Sequence, residues 1–277
     1  MTRTGDSIWL NDTLVPAADT ERLLTGCSIY ADVATIDHRP LYLTAHLACA
    51  ASSYETLYGL RPACDVAAIR RRILHLQERN RLPRQGNTLR LFFLPPAVEE
   101  RTLRQPDLLI VCAETTICHS YETMSLRPTA LLVNYEVPFA GHRTSLSLAA
   151  DRYMQEFARS KDFHLALHVN RANRLVSCGD YPVGVVREGR LTLPQLPAEA
   201  PKSVERRLLE QACSLADLPV ETRDLPAEEL AEADEVLVFG PHGLHAVLSC
   251  SEHYYYNLAA RRLDRTLARL TAEGLKA

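Results

Sequence analysis

Lysine is almost missing from this chain. Of its 31 basic residues 28 are arginine, and the only lysines are Lys161, Lys202 and Lys276. Chemistry that runs through a side-chain amine therefore has three residues to choose from. Long apolar runs are missing too. None approaches the roughly 20 residues that a membrane helix needs. The first 30 residues hold no basic segment leading into an apolar one, so neither a membrane span nor a secretory leader is expected. Runs of basic charge are also lacking. With a net charge of −3 the sequence offers no electrostatic footprint for nucleic acid and nothing that would recruit an anionic membrane. The eight cysteines, at positions 27, 49, 64, 112, 118, 178, 213 and 250, include no CxxC pair, which argues against both a zinc site and a disulfide framework. Each is expected as a small buried hydrophobe in a reducing, cytoplasmic compartment. The bias toward arginine, alanine and leucine is also what a GC-rich genome would produce.

What is present suffices for a full core. A chain of 277 residues, 47% hydrophobic, reads as two modest domains or one large one. Ile8 to Val15 alternates as a β-hairpin with its turn at Asn11-Asp12, and two short strands follow, joined at Asp37-His38-Arg39-Pro40. Thr44 is expected to cap a helix in which Leu47, Ala50, Ala51, Tyr54, Leu57 and Tyr58 recur at helical spacing. A second helix spans Val66 to Arg79, with Val66, Ile69, Ile73, Leu74 and Leu76 on one stripe. The strands TLRLFFLP and PDLLIVCAE come next, on either side of an acidic helix-like turn at Val98 to Arg101. The segment at 115 to 128 reads as a linker or crossing strand. The second half opens with the strand TALLVNYEVP, the turn Gly141 to Ser145 and the helix SLAADRYMQEFARSK. It continues with FHLALHVN, RLVSCGD, and the strands PVGVVREG and RLTLPQL meeting at Glu188-Gly189. A helix from Ser203 to Ala216, the strand PVETRDL, the short helix AEELAEA, the strands DEVLVFG and LHAVLSC around a Pro241-His242-Gly243 loop, and a C-terminal helix from about Asn257 to Leu270 complete it. The expected division is a smaller α+β domain at 1–118 and a larger α/β domain at 119–277.

Four segments carry a family likeness: DSIWLND, RPLYLTAHLACAASSYETL, HVNRANRLVSCGDYPVGVVREGRLTLPQL and LPAEELAEADEVLVFGPHGLHAVLSC. Within them Leu230-Ala231-Glu232-Ala233-Asp234-Glu235-Val236 is the most specific stretch. Together they resemble the class IV aminotransferases. These are the fold-type IV pyridoxal-phosphate (PLP) enzymes, which include branched-chain and D-amino-acid aminotransferases and aminodeoxychorismate lyase. The resemblance implies an α/β (α+β two-domain) fold of the D-amino-acid aminotransferase type, a cofactor pocket between the domains, and a homodimer. It also implies a lysine bonded to PLP. The matching stretch, Gly141-His142-Arg143-Thr144-Ser145-Leu146, has Arg143 there, and a guanidinium is no amine nucleophile. The glutamate expected at the pyridine nitrogen falls at Cys178. The turn expected to receive the phosphate on helix-terminal amides reads Lys202-Ser203-Val204-Glu205, and the early arginine falls near Ala34. Four departures together lead to the expectation of a retained fold with no PLP, and no metal is implied either.

An ancestral pocket without its cofactor remains a ligand site in principle. The candidate catalytic residues are Arg143, His242 and Cys178, and the candidate substrate-binding residues are Tyr30, Asp32, His142, Lys202, Ser203 and Gly243. Arg143 suits a carboxylate or phosphate, and a histidine titrates near neutrality as general acid or base. Plain alternatives stand beside each. Arg143 could be a residual charge and Cys178 an inert packed thiol, since no cation in RLVSCGD lowers its pKa. His242 could be a solvated loop histidine, and His245 interior packing. Lys202 and Ser203 could form a solvated first helical turn. His164 and His168 would share a strand face, but without a third ligand they make weak evidence for metal. Tyr254, Tyr255 and Tyr256 could line a pocket or dimer surface, or serve as amphipathic filler. The preferred reading is a PLP-independent enzyme of specialised metabolism acting on a small, carboxylate-bearing ligand. The alternatives are a non-catalytic pseudoenzyme or partner of a catalytic homologue, and an atypical PLP enzyme.

Overall fold

The computed structural model describes residues 6–17, 26–96, 104–115 and 119–276. The acidic turn expected at Val98 to Arg101, and Cys118, lie outside the described residues. The chain clusters into two compact units. The first comprises residues 1–119, 142–146 and 272–277, and the second residues 120–141 and 147–271.

In the first unit β1 (Ser7–Leu10) and β2 (Thr13–Pro16) form the expected hairpin, with Leu10 opposite Thr13. They join β3 (Ile29–Ile36), β4 (Arg39–Pro40), β5 (Asn87–Phe93) and β6 (Leu108–Thr115) in one sheet of order β2-β1-β6-β5-β3-β4. Ile29, Ala31 and Val33 point to one face, where they meet Leu89, Leu91 and Phe93 of β5 and Ile110 of β6. Helices α1 (Leu43–Tyr58) and α2 (Val66–Arg79) cover that face with Leu47, Ala50, Tyr54, Ile69, Ile73 and Leu76. Asp65 caps α2 by accepting from the Ala68 amide at 2.9 Å. Two expectations are corrected. Thr44 does not cap α1; the helix starts one residue earlier, after Tyr42 in the left-handed region (φ 50°), whose amide donates to the Gly274 carbonyl. Leu74 leaves the buried stripe for solvent. Its place is taken by Gln77, which is fully buried and accepts from the Thr35 hydroxyl at 2.8 Å.

The second unit has two sheets. One is built from β8 (Thr129–Asn134), β9 (Leu165–Val169), β10 (Leu175–Ser177), β16 (Ser249–Cys250) and β17 (His253–Tyr254), in the order β10-β9-β8-β16-β17. The other, of order β13-β12-β11-β14-β15-β7, holds β7 (Glu122–Thr123), β11 (Val183–Arg187), β12 (Arg190–Pro194), β13 (Val220–Arg223), β14 (Glu235–Gly240) and β15 (Gly243–Ala246). Helices α3 (Ser145–Arg159), α4 (Val204–Leu215), α5 (Leu258–Arg262) and α6 (Asp264–Gly274) complete the chain. LHAVLSC is therefore two strands in different sheets, and the C-terminal helix is two helices meeting at Leu263. The β11–β12 hairpin turns at Glu188-Gly189, both with positive φ, as the sequence implies.

The Asp234-Glu235 pair of the family-like stretch has structural work. Asp234 accepts from the Glu188 amide at 2.7 Å and so holds that hairpin turn. Glu235 is buried and accepts from the Ala259 and Ala260 amides at 2.6 and 3.1 Å, closing the first turn of α5 with an anion.

Candidate functional site

Residues 142–146 are stitched to the start of β3. The Tyr30 amide donates to the Arg143 carbonyl at 3.0 Å and the Ser145 amide to the Ser28 carbonyl at 2.8 Å, with Ile29 and Thr144 paired between them. The Ser145 hydroxyl donates to the Gly26 carbonyl, fixing the segment from its side chain as well. Arg143 is half-buried at this edge. His142 is buried, and its Nδ1 shares a 3.1 Å hydrogen bond with the Ser53 hydroxyl of α1. Tyr30 is buried on β3, and the Arg90 guanidinium lies 4.9 Å above its ring. Asp32, 1% exposed, takes two hydrogen bonds from Arg90, at 2.6 and 2.7 Å. Tyr30, Asp32 and the Arg143 backbone thus share one strand edge, and Arg90 is the residue that the sequence reading missed. Its signal was an arginine inside the apolar run TLRLFF.

In the second unit Cys178 heads a tight reversal in which it exchanges both backbone hydrogen bonds with Tyr181. Gly179 takes the left-handed conformation that the turn needs (φ 59°), with the Asp151 carboxylate 2.5 Å from where a Cβ would lie. The Gln155 amide donates to the Cys178 sulfur at 3.9 Å, and the Ser147 hydroxyl donates to Asp180 at 2.9 Å. Burial, with the Asp151 carboxylate adding to it, pushes the Cys178 thiol up to about 12. A thiol at that value is protonated at neutral pH, which favours the inert packed thiol over the nucleophile for Cys178.

The Lys202 and Ser203 side chains both have partners on α4. The Ser203 hydroxyl caps α4 by accepting from the Arg206 amide at 3.1 Å, and the Lys202 ammonium sits 3.0 Å from the Glu210 carboxylate. Glu205 is buried in the same helical turn. Arg206 is buried beneath, donating to the Pro194 carbonyl at 2.7 Å and to Thr222 at 3.2 Å. His242 is buried rather than solvated, in the two-residue link between β14 and β15. Gly243 (φ 150°) allows β7 to approach: a Cβ would lie 2.3 Å from the Glu122 carbonyl oxygen. His245 is desolvated, its Nδ1 has no hydrogen-bond partner among the described residues, and burial holds its pKa below the usual imidazole range. His164 is exposed against Thr129 while His168 is buried, and no group of metal-ligating side chains occurs among the described residues. Tyr255 is buried with its hydroxyl on the Leu230 carbonyl, whereas Tyr254 and Tyr256 are exposed.

The family profile described as amino-transferase class IV matches residues 28–249, which takes in β3, the 142–146 segment, position 178, the α4 turn and the β14–β15 hairpin. The chain belongs to the class IV aminotransferase family. Its fold is that of the fold-type IV aminotransferases. A branched-chain aminotransferase from Thermoproteus uzoniensis, solved with norvaline, superposes with a TM-score of 0.80 at 16% identity, covering 98% of this chain and 97% of that one. A fold IV transaminase from Curtobacterium pusillum gives 0.76 at 18% identity, covering 96% and 97%. The Escherichia coli branched-chain aminotransferase gives 0.75 at 15%, covering 94% and 92%. No curated protein matches the sequence. Identities this low carry the fold and not the chemistry. Within this class IV chain all three lysines, 161, 202 and 276, are exposed. Among the described residues no helix is long and apolar enough to cross a membrane.

Proposed function

We propose that this class IV chain works without PLP, as a cofactor-free enzyme of specialised metabolism acting on a small, carboxylate-bearing substrate. The observation that carries the reading is Arg143: the family likeness puts the PLP lysine at this position, and the segment is held to residues 26–30 by four backbone and side-chain hydrogen bonds. An arginine stays protonated and cannot form the covalent link. The other residues do not fit the cofactor either. Cys178 offers a protonated thiol where a carboxylate would face the pyridine nitrogen, and the Ser203 hydroxyl and the Lys202 ammonium at the phosphate turn are engaged by Arg206 and Glu210. PLP supplies an electron sink when bound, and no step here runs through it. Arg143 suits a carboxylate, which a guanidinium grips through two parallel hydrogen bonds. Tyr30 and His142 accompany Arg143 in the first unit as candidate substrate contacts, and His242 and Gly243 stay candidates of the second unit by themselves.

The test has two arms. Protein incubated with excess PLP and desalted is expected to be colourless. A visible absorbance that borohydride fixes to a lysine overturns the reading. A thermal-shift screen of small carboxylic acids is expected to raise the melting temperature of the wild type and not of Arg143→Ala.

A second reading, a non-catalytic relative, draws support from one observation: Asp32, Lys202 and Ser203 are all engaged in contacts that hold the fold. In either case we place the protein in the cytoplasm as a homodimer, supported by the exposed Tyr254, Tyr256 and Leu258. Light scattering at the mass of one chain would overturn the dimer.

A further inference from the structure

His168 on β9 pairs with Ser177 of β10, one residue from Cys178, and is 6% exposed. Its Nε2 lies 2.7 Å from the Tyr135 carbonyl oxygen. A carbonyl only accepts, so Nε2 carries the ring proton and Nδ1 holds the lone pair. The ring is also stacked on the Tyr135 ring, with centroids 4.0 Å apart and planes 27° from parallel, so the imidazole cannot easily turn to exchange its nitrogens. Among the described residues no donor reaches Nδ1. Nδ1 therefore keeps an accepting lone pair that no group of the described residues occupies.

The surroundings favour a neutral ring that can become charged. Burial lowers the pKa of His168, while the Tyr135 carbonyl and the carboxylates of Glu136 and Asp180 pull the other way. Glu136 is itself 4.0 Å from Arg171, and the Tyr135 phenol is pushed up by burial near Asp151, Asp180 and Cys178. The cluster is rich in acceptors, so it selects a ligand group that carries its own proton.

We propose that His168 Nδ1 is the base of the site around position 178, taking a proton from a substrate hydroxyl; this rests on the reading of the chain as a cofactor-free enzyme. In that step the substrate O–H bond breaks, its electron pair stays on oxygen, and an N–H bond forms at Nδ1. The imidazolium keeps its Nε2–H bond to Tyr135, and Asp180 and Glu136 face its charge.

The chromogenic ester 4-nitrophenyl acetate reports the same lone pair. Nδ1 attacks the ester carbonyl, 4-nitrophenolate leaves, and water then releases acetate and restores the imidazole. At about pH 5.5 ordinary histidines are mostly protonated, whereas a ring with a lowered pKa stays reactive. Wild type is expected to release 4-nitrophenol at least about five-fold faster at that pH than His168→Gln, whose amide still donates to the Tyr135 carbonyl. Equal rates overturn the proposal. If circular dichroism finds the variant unfolded, a two-bond proton–nitrogen correlation on histidine-labelled wild type decides: a proton on Nε2 and a bare Nδ1 support it, and a proton on Nδ1 overturns it. Uptake of PLP by the wild type would sink the cofactor-free reading and leave the ester result standing, so the two failures separate.

Discussion

Asp32 and Arg90 face each other directly across β3 and β5, each carboxylate oxygen within 2.7 Å of a guanidinium nitrogen. The carboxylate is 1% exposed and the arginine side chain 14%. A buried pair of this kind contributes little beyond an apolar pair of equal shape, but removing one partner strands the other charge. Asp32→Asn is therefore expected to lower unfolding free energy by about 3 kcal/mol. Urea denaturation checks this, and a loss below about 1 kcal/mol would mean that water solvates Arg90.

Alkaline pH should destabilise the fold. Burial raises the thiols of Cys178 and Cys213 to about 12 and that of Cys250 to about 11, from an ordinary 9.0. The unfolded chain loses these protons first, so the stability they contribute is intact below about pH 9 and declines as pH rises toward the folded values. The urea midpoint is expected to fall between about pH 9 and pH 11, and less steeply in Cys178→Ala. A flat profile would contradict the burial of these thiols.

Iodoacetamide at neutral pH is expected to spare Cys178 in native protein and to modify it in urea, as read by peptide mass spectrometry. Native labelling at a rate matching the half-buried Cys27 or Cys49 would restore Cys178 as a nucleophile candidate.

Ser203→Ala removes the cap on α4 and is expected to cost about 1 kcal/mol of stability. Inorganic phosphate should shift the melting temperature of wild type and variant equally. A phosphate-dependent shift confined to the wild type would mean that the α4 turn still binds the anion.

Gly243→Ala places a methyl group 2.3 Å from the Glu122 carbonyl oxygen and forces a side chain to φ 150°. The expected loss is about 2 kcal/mol or more, because both partners are backbone and neither can swing away. Differential scanning calorimetry measures it, and an unchanged melting temperature would show that β7 is not held against β15.

Local pattern was enough for the elements whose cause is local. The Val66–Arg79 helix and the Glu188-Gly189 hairpin follow from apolar spacing and turn residues a few positions apart. The family likeness was equally legible, since the Asp234 and Glu235 that carry it hold a turn and a helix end. That position 143 holds an arginine is a fact of sequence, and no fold can turn a guanidinium into an amine. Tertiary structure decided the rest. Asp32 meets Arg90 across 58 residues only because of strand register, and Leu74 yields its place to Gln77 only because Thr35 and Asn87 supply its partners. Cys178 is pushed out of thiolate chemistry by burial, and His168 is fixed in one tautomer by a carbonyl 33 residues away. Reactivity depends on solvation and on which hydrogen-bond partner is within about 3 Å, and a linear sequence specifies neither until the chain has closed on itself.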